Sequence, residues 1–384
     1  MGDMRQMQIL RITAAVSFLL ALVNHVLPPK AFAATQLLFD YSQGLTRRGL
    51  VGQILTLVFP DKVSVGQIYA VAAGISLLGA LAFYLFLKRT LPEQTSALLL
   101  IILALNSFAY SSFIGNTGYL DGMLLTLTLL ALSSKATTRA GLAVRLALTV
   151  LGAMVHENML PYFTLLIGFD LFLARRGQTR ALGVALLPLG VGLVTVAALA
   201  TLGRFSPDQA ADFAAHLQAR AGFGVDPTAT VVAGRGIGGN FDLMANLHKT
   251  TKYWAWVLFD GVPLGLMSLW LFWLAGRLLG PLAPRSARLL LAAVLLAPLS
   301  LNVIAFDVVR FGAASVLAGF VAIALILRHI PEAAPRLTKI LTWPHFLLLL
   351  VLNANMFTIE INIGSGHTSQ FPWVLLTQLK WFAP

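Results

Sequence analysis

The chain has 384 residues, of which 58% are hydrophobic and 11% charged, and its mean hydropathy is +0.82. A soluble domain carries about 25% charged residues, so a chain built mainly of soluble domains is excluded. There is no cysteine, which rules out thiol nucleophiles, disulfides and Cys-ligated metal centres. The net charge of +12 has to be sorted by membrane side before any acidic partner is inferred, because Lys and Arg gather on the cytoplasmic side of membrane proteins.

Apolar segments near twenty residues recur along the chain, the length that crosses about 30 Å of hydrocarbon. The first covers 10–26. The Ala-Phe-Ala at 31–33 resembles a signal-peptidase site, but Pro28, Pro29 and Lys30 sit poorly before one, and a retained transmembrane helix is expected. A polar gap follows at 28–66, the first outer loop. Inside it 50–59 is apolar and too short to span, which predicts an interfacial or re-entrant helix. Further spans are expected at 67–87, 95–113, 119–132, 143–155, 160–173 and 182–202. A long outer loop with amphipathic and Gly-rich character covers 203–252, and its 234–242 run, GRGIGGNFD, reads as a flexible loop. Tyr253, Trp254 and Trp256 after it read as an interfacial aromatic belt. The last spans are expected at 253–274, 287–306, 311–327 and 340–359. The expected fold is an all-α polytopic membrane protein, a single transmembrane domain of about eleven helices, with no internal repeat.

Alternating these spans from a cytoplasmic N-terminus places 16 of the 27 Lys and Arg residues inside with 4 of the 15 acids, and leaves 11 of each outside. The whole positive excess is then cytoplasmic, as the positive-inside rule requires. A nucleic-acid partner is not needed to explain it. The expected setting is a bacterial inner membrane, with the C-terminus periplasmic.

With that orientation the unusual polar residues gather on the outer face. Asp40, Arg47 and Arg48 lie in 39–52, FDYSQGLTRRGLVG. Asp121 lies in a short turn that also holds Asn116. His156 and Glu157 share a tight turn, Asp307 and Arg310 another, and Glu360 and His367 follow the last span. Ionisable residues at the membrane rim are costly, and are paired or functional.

Each has two readings. Arg47 and Arg48 are either snorkelling anchors or a phosphate site, for which the guanidinium fork is suited and flanking glycines give backbone access. Asp40 is either a base or an ion-pair partner of these arginines. His156 and Glu157 resemble the start of a zinc-binding HExxH helix, but position 160 is Leu, so that motif fails. Glu157 remains a candidate base or metal ligand. Asp307 and Arg310, three residues apart, form an internal salt bridge or contribute Arg310 to the anion site. The run at 364–367 matches one fragment of a lipid-phosphatase signature without its companions, and no G-x-S-x-G elbow is present.

The layout resembles the C-type glycosyltransferase superfamily (GT-C): multi-span enzymes that transfer sugars from polyprenyl-phosphate or polyprenyl-diphosphate carriers outside the cytoplasm. The matching features are the inside N-terminus, about eleven spans, a long first outer loop with a membrane-surface helix, and an early acid in that loop, Asp40. The acid pair seen in many members is here a single Asp. The resemblance implies a second outer acid, for which Asp121 and Glu157 are candidates. It also implies a polyprenyl-linked sugar donor, and a glycan, lipid or protein acceptor.

The expected activity is sugar transfer on the outer face. Asp40 or Glu157 would serve as catalytic residues and Arg47, Arg48 and Arg310 as phosphate ligands, with Asp121, His156 and Asp307 in support. A divalent cation, Mg or Mn, between carboxylate and phosphate is compatible with this scheme and not required by it. The rivals are a polysaccharide polymerase of the O-antigen or capsule type, and a transporter or flippase of a lipid-linked or anionic substrate. Transporters concentrate ionisable residues near the midplane, whereas here they lie at one rim.

Overall fold

The structure is a computed structural model and describes residues 2–353 apart from 204, 206, 235, 236 and 306. Glu360, His367 and the 364–367 run lie outside the described residues, as does the end of the 340–359 span. The described residues are helical and form no strand; an isolated bridge joins Val63 and Ala221.

Six helices are long and apolar enough to cross a membrane: Met4–His25, Val65–Thr90, Ala181–Leu202, Tyr253–Leu279, Arg285–Val303 and Val308–His329. Five shorter apolar helices occur at Gly49–Val58, Thr95–Leu105, Asp121–Ser133, Leu160–Ala174 and Trp343–Leu352. The all-α membrane character expected from the sequence is therefore present, but with six full-length helices against eleven expected spans. The shortfall has local causes. The segment expected at 95–113 is two helices, Thr95–Leu105 and Phe108–Gly115. At the break Asn106 Nδ2 donates to Ile102 O (2.8 Å) and Ser107 Oγ to Ala104 O (2.7 Å). Such side chains compete with the helix for its own carbonyls. The segment at 160–173 begins with a π-helical turn, Leu160–Thr164. The short helix expected at 50–59 is Gly49–Val58.

The chain divides into two compact units, each assembled from separate stretches. One comprises 1–25, 84–113 and 240 onward. Its centre is the Val308–His329 helix, packed on Val262–Leu279 and Arg285–Ser300. Gly312 and Gly319 let Leu264 and Leu271 approach, and a Cβ at either would lie 2.7–2.8 Å from those side chains. Ser315 Oγ donates to Leu295 O (2.8 Å), so Ser268 donates across 2.9 Å to Ser315.

The other unit comprises 26–83 and 114–239. The Arg139–Val155 helix, capped by Thr138 through Gly141 N (3.0 Å), packs between Asp121–Ser133 and Ala181–Leu202. Arg145 and Asp170 form an ion pair at 2.7 Å with both side chains fully buried, and Arg145 Nη2 also donates to Ser134 O at 2.8 Å. The segment 203–252, expected as a loop, is largely helical: Pro207–Arg220, Pro227–Gly234, Ile237–Leu247 and the start of Thr251–Trp256.

Candidate functional site

The stretch 39–52 is folded by local demands of its own sequence. After the buried Ala31–Leu37 helix, Leu38, Phe39 and Asp40 continue inward. The chain then reverses through Gly44, at φ +107°, and Arg48, at φ +64°. Positive φ costs a non-glycine residue roughly 1–2 kcal/mol, so Arg48 is held there by its surroundings. The Gly49–Val58 helix next lies back against 38–39. A side chain at Gly52 would collide with the Phe39 carbonyl, and Gln53 Oε1 accepts the Tyr41 N–H at 3.1 Å.

This turn seats Asp40 at the centre of a charged cluster. Its exposure is 2%. Oδ1 accepts from Ser42 N (3.1 Å), while Oδ2 accepts from Arg220 Nη1 (2.7 Å) and faces His216 Nε2 at 2.9 Å. His216 and Arg220 stand one turn apart on the Pro207–Arg220 helix, so both point the same way. That helix is anchored by Phe213 and Leu217, both fully buried, with Phe213 edge-on to Phe39 at 5.3 Å. Its end is tied down by Val63, which takes Arg220 O (2.8 Å) and gives its own carbonyl to Gly222 N (2.9 Å).

Burial works to raise the Asp40 carboxyl. The hydrogen bonds from His216 and Ser42 outweigh it and hold the pKa below the usual carboxylate value. The Arg220 charge favours the same ionised form. An ionised carboxylate only accepts, so His216 presents Nε2–H to it and keeps Nδ1 as its second site. His216 is 32% exposed.

Arg220 is 8% exposed. Its Nη1 is used by Asp40 and, at 3.4 Å, by Leu38 O. Its buried Nε and Nη2 have no hydrogen-bond partner among the described residues, and neither do the buried Gln36 Nε2 and Tyr41 Oη nearby in the chain. More than 90% of buried polar groups in native proteins are satisfied. Unfilled donors on a buried guanidinium fit an anionic ligand with several oxygens.

A second charged pair hangs on the same turn. Arg48 holds Glu157 with two nitrogens of one guanidinium edge, Nε to both carboxylate oxygens (3.1 and 3.2 Å) and Nη2 to Oε1. Burial pushes the Glu157 carboxyl up, but the Arg48 charge, the neighbouring His156 and the hydrogen bonds from Arg48 and the backbone outweigh it and bring it well below the usual value. His156 is buried, and its Nδ1 accepts the Asn158 N–H at 3.0 Å. The same Nδ1 lies 3.4 Å from Glu157 Oε2.

The structure thus divides the residues singled out from the sequence. Asp40 is ion-paired, but with Arg220 and not with Arg47 or Arg48. Arg48 is committed to Glu157, and Arg47 is half-buried beside it. Asp121 is buried in the first turn of its helix, where the helix dipole favours a carboxylate. In the other unit Asp307 caps the Val308–His329 helix, accepting from Arg310 N (3.3 Å) and pairing with Arg310 Nη1 (3.1 Å). That is the internal salt bridge of the two readings left open.

His216 and Arg220 were missed by sequence reasoning. The available signal was their four-residue spacing beside Phe213 and Leu217 on one helical stripe. Among the described residues, no group of three or more His, Asp or Glu side chains is arranged to hold a metal ion. Comparison with known proteins found no matching family model, curated protein or solved structure.

Proposed function

We propose that this chain is a membrane glycosyltransferase. It moves a sugar from a polyprenyl-phosphate or polyprenyl-diphosphate carrier to an acceptor hydroxyl on the extracytoplasmic face of a bacterial inner membrane. The observation that carries this reading is the buried Asp40 carboxylate between His216 and Arg220, with the Nε and Nη2 donors of Arg220 left over. The charge distribution along the sequence supports its outer-face location.

The geometry suggests roles for each group. A carboxylate held below its usual pKa is a weak base, so Asp40 serves to orient His216 and to stabilise its protonated form. His216 Nδ1 takes the proton from the acceptor hydroxyl. The acceptor oxygen forms its bond to the anomeric carbon as the carbon–oxygen bond to phosphate breaks. The leaving phosphate carries its charge away against the unsatisfied Nε and Nη2 donors of Arg220, which the bound substrate must uncover. With a monophosphate carrier this is one displacement, with inversion. Arg48 and Glu157, already joined, brace the turn that presents Asp40.

The test is release of polyprenyl phosphate from a panel of synthetic polyprenyl-phosphate sugars by the purified protein, read by mass spectrometry. Turnover of one member by the native chain, with loss of at least about 100-fold in His216→Ala, is expected. No turnover of any member, or full turnover by His216→Ala, contradicts the reading.

A further inference from the structure

A second cluster of cations lies in the unit built around Val308–His329. Arg277 is in the last turn of Val262–Leu279, Arg288 in the first turn of Arg285–Ser300, and Arg336 and Lys339 on the short Ala333–Ile340 helix. With Gly280 they line a cavity of about 510 Å³, and among the described residues no Asp or Glu lines it.

Two of the four are held by the fold. Arg336 Nη1 donates to Leu278 O (2.8 Å), and Arg288 Nη2 donates to Pro281 O (3.0 Å). Both carbonyls lie at or just past the C-terminal end of the Val262–Leu279 helix, where cations are favoured. Gly280, at φ +85°, is what admits the Arg336 guanidinium, since a Cβ there would collide with it. Arg277 and Lys339, in contrast, are exposed, and no ion pair or hydrogen bond joins either to another described residue. Four like charges around one cavity repel, and an anion relieves that repulsion.

The depth of the cavity suggests which anion. Trp273 lies one turn before Arg277, Trp270 Nε1 donates to His345 Nε2 (3.2 Å), and Trp343 is exposed close behind Lys339. Tryptophans of this kind mark headgroup level. The excess of Lys and Arg here fits the positive-inside pattern expected of a cytoplasmic end, and basic pockets between helices on that side suit the phosphate headgroups of anionic lipids.

We propose that this pocket is a binding site for a phosphate-bearing anion, with Arg336 and Arg288 as fixed walls and Arg277 and Lys339 as the closing contacts. Its depth favours a lipid phosphodiester over a soluble phosphate, and the site is independent of the reaction proposed for the other unit.

The full-length protein in an uncharged detergent is titrated with diphosphatidylglycerol, phosphatidylcholine or inorganic pyrophosphate, and binding is read by native mass spectrometry. Each Lys or Arg near a headgroup contributes about a factor of five in affinity. Arg277→Gln/Lys339→Gln is therefore expected to bind diphosphatidylglycerol about thirtyfold more weakly. Arg277→Lys/Lys339→Arg is expected to keep most of the affinity, and Arg139→Gln/Arg180→Gln, an equal charge loss elsewhere, to keep all of it. The same pattern with pyrophosphate supports the site and assigns a soluble phosphate as its source. Equal weakening in both Gln pairs, binding of phosphatidylcholine as tight as of the anionic lipid, or no anion binding at all overturns the proposal.

Discussion

His216 Nε2 lies 2.9 Å from Asp40 Oδ2, although 176 residues separate the two in sequence. One oxygen of the carboxylate is thereby shared between an imidazole and the Arg220 guanidinium. The other imidazole nitrogen, Nδ1, is not engaged by this carboxylate, and the buried Nε and Nη2 of the guanidinium have no hydrogen-bond partner among the described residues. The proposed base and the proposed anion site thus share a single buried charge.

Residues that act as a unit are not additive when removed. Asp40→Asn and His216→Ala are each expected to lower turnover of the lipid-linked sugar by about 100- to 10,000-fold. The double variant should be little worse than the more damaged single. Initial rates of sugar release across the four proteins measure this, and losses that multiply in full would separate the two residues.

The Glu157 carboxyl has a pKa well below its ordinary value in the folded protein. For a depressed acid, the stability it contributes is present above the unfolded pKa, about 4.3, and is lost as pH falls through the folded value. Melting curves of the native chain and Glu157→Gln should therefore differ most near pH 7. The difference should narrow only below about pH 4. A gap that is constant with pH would show that the Arg48 pair is not its source.

Breaking the buried Arg145–Asp170 pair strands an uncompensated charge. Arg145→Met and Asp170→Leu are each expected to destabilise by about 3–5 kcal/mol, and the double change by less than either. Unfolding midpoints in detergent distinguish this from simple packing loss, for which the two effects would add.

Gly52 and Gly66 make a matched contrast. A methyl at Gly52 runs into the Phe39 carbonyl, whereas at Gly66 it meets open space. Gly52→Ala should cost about 1–3 kcal/mol and displace Asp40, abolishing turnover. Gly66→Ala, in the first turn of Val65–Thr90, should be neutral or slightly stabilising. Melting temperature and activity of the two proteins check both halves.

Features set by local sequence are legible in the sequence itself. Hydropathy located the helical segments, including the short Gly49–Val58 helix, and the spacing of Asp307 and Arg310 suggested their pairing. What hydropathy overstated was helix length. An apolar run gives no warning that Asn106 and Ser107 will turn their side chains onto Ile102 O and Ala104 O. The partners of Asp40 and Arg48 were also out of reach. Arg220 is 180 residues from Asp40 and Glu157 is 109 from Arg48, and such pairings depend on the path of the whole chain. The segment 207–220 read as loop because its helix is weakly apolar, with Phe213 and Leu217 alone holding one face.

Equilibrium binding of a polyprenyl monophosphate to the native chain and to Arg220→Gln, in the same uncharged bilayer discs, tests the anion site most directly. A hydrogen bond to a charged group contributes about 1.5–3 kcal/mol, so Arg220→Gln should bind roughly tenfold to a hundredfold more weakly. Arg220→Lys, which keeps the charge and loses the fork, should fall between. Equal affinity of the native chain and a folded Arg220→Gln would contradict the assignment of the Arg220 edge to a lipid phosphate.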